Sequence, residues 1–316
     1  MSVLIIEEYN LKDNCDTWNN FVINSVNSNM YQLNEFININ SYKCDQIKNL
    51  AFKENNKIIA TISLGIFRKK LCKSPFSSSF AGFNYIHNLS LHTLKYVVEK
   101  LKEYCLENRI EIIEITQPPL IYLKHVDEKI DYALLSNGFK LESYEVCLYK
   151  KTKDLLENIK SNLKRNIKKA IINGLIYKKI DKPKECFQFI EEQKRIQGIP
   201  FSITYCDFKL LKERYPDKVL MYGVYMDNIL ISAIIMYSIN NKTILGFNWA
   251  QDKKYQGVRA SDYMLYKSIE LALKNGYEFF DFGTTTLNGI INKGVTDFKE
   301  KFNPDSVLRK KYVYKN

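Results

Sequence analysis

A carboxylate at the end of a strand, beside a glycine and a run of small hydroxyl residues, is the part of this sequence best equipped for chemistry. Phe279-Phe280-Asp281-Phe282-Gly283 reads as a short strand that stops at its glycine, and Thr284-Thr285-Thr286 follow. Ligands of α/β units bind at the carboxyl ends of strands, so residues 281–289 form the first candidate site. Asp281 can act there as a base or orient an acceptor; it can equally cap the following loop, as aspartates do. A second group, suited to anions, lies on the segment 155–175. Lys160, Lys164 and Lys168 share a face, with Arg165 and Lys169 beside them. Lysine and arginine are the usual partners of phosphate and carboxylate, although such a stripe also fits a plain solvated face. Nucleophile chemistry is poorly supplied. The chain has three histidines (His87, His92 and His125) and no Gly-x-Ser-x-Gly, which disfavours a Ser–His or Cys–His pair. The seven cysteines (Cys15, Cys44, Cys72, Cys105, Cys147, Cys186 and Cys206) are scattered, without a Cys-x-x-Cys pair. Neither a disulfide framework nor a metal is therefore expected, and a reducing cytoplasm fits such thiols.

Periodicity and punctuation supply the elements around these residues. The helix before Asp281 is apolar at Met264, Leu265, Ile269, Leu271, Ala272 and Leu273 and stops at Asn275-Gly276, because glycine tolerates the left-handed backbone of a helix end. A meander precedes it, over 219–226, 229–239 and 243–249, turning at Asp227-Asn228 and Asn240-Asn241. A short helix near 295–302, with Phe298 and Phe302 on its core face, and a closing strand to Tyr314 follow it. The basic segment 155–175 is the clearest amphipathic helix: Leu156, Ile159, Leu163, Ile167 and Ala170 recur at three- and four-residue steps, and Asn173-Gly174 ends it. The first half runs strand, helix around 18–25, hairpin (46–53 and 58–67) and an irregular stretch over 69–88. A helix capped by Ser90, a strand over 110–115, a helix near 130–136 and a strand over 140–149 complete it. Hairpin or meander, helix, strand, helix, strand thus occurs twice. The expectation is an α/β (α+β) fold of two domains, 1–150 and 151–316, each a mixed twisted sheet flanked by helices.

Size and charge agree with this division. The chain has 316 residues, and domains run to about 100–200 residues each. A formal net charge of +12 favours an anionic partner: nucleic acid, a nucleotide cofactor or substrate, or an anionic lipid surface. The richness in lysine, isoleucine and asparagine is also what an AT-rich genome yields. The first eight residues lack the basic head and apolar core of a signal peptide, and no apolar run reaches the roughly 18 residues of a membrane span. A cytoplasmic protein is expected.

Four short segments then carry a resemblance. Asn162-Leu163-Lys164-Arg165-Asn166-Ile167-Lys168-Lys169-Ala170, with Asn173-Gly174, resembles a segment of the Fem-type peptidoglycan-bridge aminoacyltransferases and their relatives in the GNAT acyltransferase superfamily. Gln193-Lys194-Arg195-Ile196-Gln197-Gly198-Ile199-Pro200, Phe280-Asp281-Phe282-Gly283 and Asp297-Phe298-Lys299-Glu300-Lys301-Phe302 are similar to the segments that follow there, in the same order. The first half shares only its architecture and a Ser74-Pro75-Phe76 loop. Two features depart from the pattern: no sustained heptad run stands for the coiled-coil arm of many Fem-type enzymes, and Thr284 follows Gly283 where a second glycine is usual. The resemblance implies two tandem GNAT-like domains, an acyl or aminoacyl donor and a cell-envelope acceptor. By the same carry-over, Lys299 lies in the donor channel, and Lys164, Arg165 and Arg195 lie near the anionic part of a substrate.

Acyl transfer to an amine or hydroxyl needs deprotonation of the acceptor, stabilisation of the carbonyl oxygen and protonation of the leaving group. GNAT-type enzymes achieve this mostly by positioning. Lys299 is a candidate for the developing oxyanion, against an exposed helical lysine. Tyr263, or its neighbour Tyr266, is a candidate to protonate a thiolate, against packing. Gln256-Gly257-Val258-Arg259-Ala260-Ser261 has the residue types of a pyrophosphate loop, whose N–H groups cradle phosphates at a helix start, but not its usual spacing; an ordinary helix N-terminus explains it equally. Trp249, Gly283 and Thr284 are candidates to line the acceptor pocket. The expected activity is transfer from acetyl-CoA or another acyl-CoA to a nucleotide-sugar, glycan or peptidoglycan precursor. The alternatives are a Fem-type transferase that uses aminoacyl-tRNA, and a non-catalytic GNAT module that binds an anionic ligand.

Overall fold

In a computed structural model the chain is described over residues 4–155, 157, 159–201 and 203–315. Leu156, at the head of the expected amphipathic helix, and the first three residues lie outside the described residues. The chain divides into two compact units: Met1–Glu145 with Leu308–Asn316, and Val146–Val307.

The first unit contains β1 (Leu4–Glu8), α1 (Cys15–Asn24), α2 (Asn34–Ile39), β2 (Gln46–Glu54), β3 (Lys57–Phe67), β4 (Leu71–Ser74), β5 (Asn84–Tyr85), α3 (Leu91–Glu107), β6 (Ile112–Thr116) and α4 (Lys129–Ser136). The hairpin between β2 and β3 turns at Asn55 and Asn56, both with left-handed φ of 50° and 61°, a conformation asparagine adopts at little cost. Ser90 caps α3 as expected, its side chain accepting the Thr93 N–H. The irregular stretch of the sequence conceals β4, which pairs parallel to β6.

The second unit contains the later part of β7 (Lys140–Lys151), α5 (Ser161–Ile172), β8 (Ile176–Lys179), α6 (Pro183–Ile196), α7 (Tyr205–Arg214), β9 (Val219–Met226), β10 (Ile229–Ser238), β11 (Thr243–Gln251), α8 (Ala260–Lys274), β12 (Phe279–Thr284), the small strands β13 (Thr286–Leu287) and β14 (Ile290–Ile291), and α9 (Lys293–Lys299). Its main strands run in the order β7-β12-β11-β10-β9-β8. β9, β10 and β11 are the expected antiparallel meander, and β12 joins parallel to β11. Helices α5 and α8 share one hydrophobic cluster with the sheet: Leu163, Ile167 and Ala170 meet Met264, Leu265 and Ile269 over Ile234, Met236, Phe280 and Phe282. Each such large aliphatic side chain contributes about 1.5–3 kcal/mol on burial. The helix of the basic segment begins at Ser161, six residues later than its periodicity suggested, because Lys160 is extended (φ −57°, ψ 143°).

β15 (Asp305–Lys315) closes the chain. The sequence division kept this strand with the second domain. From Leu308 on it belongs to the first unit, where Lys311–Lys315 pair with β6 and the buried Tyr312 donates its hydroxyl to Asp131 at 2.6 Å. The architecture is mixed α/β, as expected. No described helix is long and apolar enough to cross a membrane.

Candidate active site of the second unit

The candidate residues all fall within the second unit, and sheet register explains how several of them meet. β11 and β12 pair only through Thr243↔Phe279, Ile244↔Phe280 and Leu245↔Asp281. Both strands then run on, β11 to Gln251 and β12 to Thr284. Each takes an extra residue just past the last pair. The β10–β11 register slips at Phe247, and the β12–β7 register slips across Phe282-Gly283. Bulges of this kind bend a strand and raise its twist, so the two parallel strands part at their carboxyl ends, where ligands bind in open sheets. Gly246 sits at the fork. A Cβ there would lie 3.2 Å from the Phe280 ring and 3.3 Å from the Trp249 ring.

Asp281 is buried and uses one carboxylate oxygen to accept the Gly283 N–H at 2.6 Å. Gly283 has a left-handed φ of 72°, and the pair shapes the bulge near the end of β12. Lys299 comes from the last residue of α9 and is 2% exposed, not a surface lysine. Its ammonium donates to the Gly283 carbonyl at 3.0 Å and the Thr284 carbonyl at 2.8 Å. It lies 5.7 Å from the centre of the Trp249 ring. Burial pushes its pKa down to about 8, against the attraction of Asp281. Asp281, Lys299, Trp249, Gly283 and Thr284 are therefore brought together at the fork.

The turn at 256–261 follows the carboxyl end of β11, at the same sheet edge as the end of β12 because the strands are parallel. Gln256, Gly257 and Arg259 are exposed and Val258 is half-buried. Arg259 is left-handed (φ 66°) at the start of α8, Ala260 is buried, and a Cβ at Gly257 would touch nothing. Ser261 is already engaged, its N–H and hydroxyl donating to Gln251 at 2.8 Å and 2.6 Å. Tyr263 is buried and packs in the α8 cluster. Its neighbour Tyr266 keeps its proton, with a pKa raised by burial and by Glu270.

On α5, Lys164 and Arg165 are exposed, and Arg195 is exposed at the end of α6. Between the exposed lysines stands a buried residue that ties elements together. Asn166 donates to Asp262 at 2.7 Å, and Lys301 reaches the other oxygen of Asp262 at 3.2 Å. Asp262 is 3% exposed, so this trio fastens α5 and the 300–302 turn to the first turn of α8.

Lys194, next to Arg195, escaped selection from the sequence. It turns into the unit and donates to Asn248, beside the Phe247 bulge, and burial pushes its pKa down to about 8. The signal was present: Phe187, Ile190 and Lys194 follow the three- and four-residue steps of the buried face of α6. Asn248 and Trp249 are successive strand residues and point to opposite faces. Among the described residues no group of three or more His, Cys, Asp or Glu is arranged to hold a metal ion.

No family model matches the sequence, and no curated protein matches it. Solved structures do. FemX matches with a TM-score of 0.73 at 13% identity, over 99% of this chain and 97% of that one. The C-terminal domain (DUF2156) of a putative lysylphosphatidylglycerol synthetase from Agrobacterium fabrum matches with a TM-score of 0.61 at 10% identity, over 97% and 93% of the two chains. A tandem GNAT protein from the clavulanic acid biosynthesis pathway matches with a TM-score of 0.58 at 8% identity, over 99% and 98%. At such identities the likeness is one of fold. The chain has the Fem-like tandem GNAT fold that the four short segments implied.

Proposed function

We propose that the second unit is an acyl-transfer centre, moving an acyl group from acyl-CoA directly to an amine or hydroxyl of a sugar or cell-envelope precursor. The observation that carries this reading is the fork between β11 and β12 with the buried ammonium of Lys299 at its rim. An ammonium has three N–H donors. Two of those of Lys299 hold the Gly283 and Thr284 carbonyls; in this reading the third donates to a carbonyl oxygen that gains negative charge. A preorganised charge in a dry site stabilises such an oxygen far more than one in water. In the reaction the acceptor nitrogen or oxygen bonds to the carbonyl carbon, the carbon–sulfur bond breaks, and the acceptor's proton leaves for Asp281 or solvent. The coenzyme departs as a thiol, with Tyr263 the candidate proton donor. The exposed turn at 256–261 and Arg259 are assigned to the phosphates of the donor; Lys164, Arg165, Arg195 and Trp249 are assigned to the substrate.

A second reading takes aminoacyl-tRNA as donor and a peptidoglycan precursor as acceptor. The exposed basic stripe of α5 and the likeness of fold to FemX favour it. Thermal-shift titrations with CoA, acetyl-CoA and uncharged tRNA, at low and moderate salt, separate the two. A native-state ligand raises the midpoint as its concentration passes its dissociation constant, and polyanion contacts weaken steeply with salt. A shift with acetyl-CoA that survives moderate salt supports the first reading. A salt-sensitive shift with tRNA alone supports the second. Silence from both refutes both donors and leaves a non-catalytic anion-binding module.

A further inference from the structure

Between β12 and α9 the chain makes a small hairpin whose aliphatic side chains lie outside the core. β13 and β14 pair through Thr286↔Ile291 and Leu287↔Ile290. Asn288 and Gly289 close the turn, with left-handed φ of 52° and 76°, the conformation a two-residue hairpin turn needs. Leu287 is 67% exposed, Ile290 73% and Ile291 66%. Three large aliphatic side chains on six residues are thus held out in water. Single exposed aliphatic residues are ordinary; a cluster of them marks a contact.

The surroundings identify the contact. The hairpin leaves the carboxyl end of β12, and the turn carrying Lys253, Lys254 and Arg259 leaves the carboxyl end of its parallel neighbour β11. Both therefore emerge at one edge of the sheet. Lys253, Lys254 and, directly after the hairpin, Lys293 are exposed; Asp297 and Glu300 are the exposed acids nearby in sequence. We propose that this edge docks on an anionic lipid bilayer, with Leu287, Ile290 and Ile291 inserted among the acyl chains and the cations against lipid phosphates. Phosphates of a soluble nucleotide or of tRNA would satisfy the cations but leave the aliphatic trio in water. A bilayer surface satisfies both, since interfacial anchors combine buried apolar area with attraction to anionic headgroups. Such docking would set the mouth of the fork at the membrane. It stands apart from the acyl-transfer reading, because its test reads binding alone.

The test is co-sedimentation of the full chain with vesicles of phosphatidylglycerol and phosphatidylcholine, and of phosphatidylcholine alone. Binding is expected with the mixed vesicles, weaker without the anionic lipid and weaker with added salt. The variant L287S/I290S/I291S should reduce partitioning by at least about 50-fold, and K253Q/K254Q by roughly 30-fold. These side chains are exposed, so an unchanged thermal midpoint verifies that both variants are folded. The proposal is overturned if the chain ignores anionic vesicles, or if the aliphatic triple variant binds them as the wild type does. It is equally overturned if light scattering shows an oligomer that the triple variant dissolves while vesicles are not bound, which would make the hairpin a contact between copies.

Discussion

Replacing Lys299 with methionine tests the physical basis of the fork. Methionine keeps most of the length and removes the charge. The folded-state pKa of Lys299 is lowered from 10.5 to about 8, with burial as the first cause. The charged form is thus disfavoured by folding, in full below about pH 8, and the penalty is relieved as pH rises toward the unfolded value of 10.5. Between these limits the unfolded chain binds more protons, so this residue makes stability rise with pH. The full swing is about 3 kcal/mol at 1.36 kcal/mol per pKa unit; between pH 7.5 and 9.5 it is about 2 kcal/mol by the same linkage. Because the side chain is 2% exposed, solvent screening takes little from this figure. Other groups titrate in both proteins and cancel in the comparison. Urea unfolding of the wild type and K299M at the two pH values supplies the assay. The stability difference, wild type minus variant, should grow by about 2 kcal/mol at the higher pH. A change below about 0.5 kcal/mol would refute the argument that burial holds this ammonium near its titration point. In the acyl-transfer reading K299M also lowers turnover by about 100-fold or more, the usual cost of one oxyanion donor.

The trio at the start of α8 should behave as a coupled unit: N166A and D262A should each cost about 2–4 kcal/mol, with a coupling of about 1–3 kcal/mol in a double-mutant cycle read by urea unfolding. Additivity of the two would show that the Asn166–Asp262 bond is not a net stabiliser. G246A forces a methyl group against the Phe280 and Trp249 rings and should lower stability by about 1–3 kcal/mol; a change in Trp249 fluorescence would accompany it. Q251A removes the acceptor that holds the Ser261 N–H and should cost about 1 kcal/mol, read as a lower thermal midpoint.

Punctuation was legible wherever local backbone chemistry decides the structure. Asn137-Gly138, Asn173-Gly174 and Asn275-Gly276 end helices, and Asp227-Asn228 turns between β9 and β10, all as their residue types dictate. What escaped depends on partners far along the chain. Leu71–Ser74 is too short to show a period and becomes a strand only between β3 and β6. The burial of Lys299 could not be read from α9, because the carbonyls that receive it lie some fifteen residues earlier, on the turn that Asp281 shapes. Lys194 and Arg195 are neighbours of one charge; the steps of α6 put Lys194 on its buried face, but the partner that receives it, Asn248, lies far along the chain on β11.

The return of β15 to the first unit inverts the order in which the two units can mature on the ribosome. Residues 146–307 are contiguous, so the second unit has its whole sequence before the first does. The first unit waits for its final strand, and with it Tyr312, the Lys310 contacts to Glu128 and Asp131, and the Lys311 contact to Glu114. Until residues 308–315 have been made, the edge of β6 and the Tyr312 site stand open. A stop codon placed before Leu308 would therefore damage the amino-terminal half of the protein first.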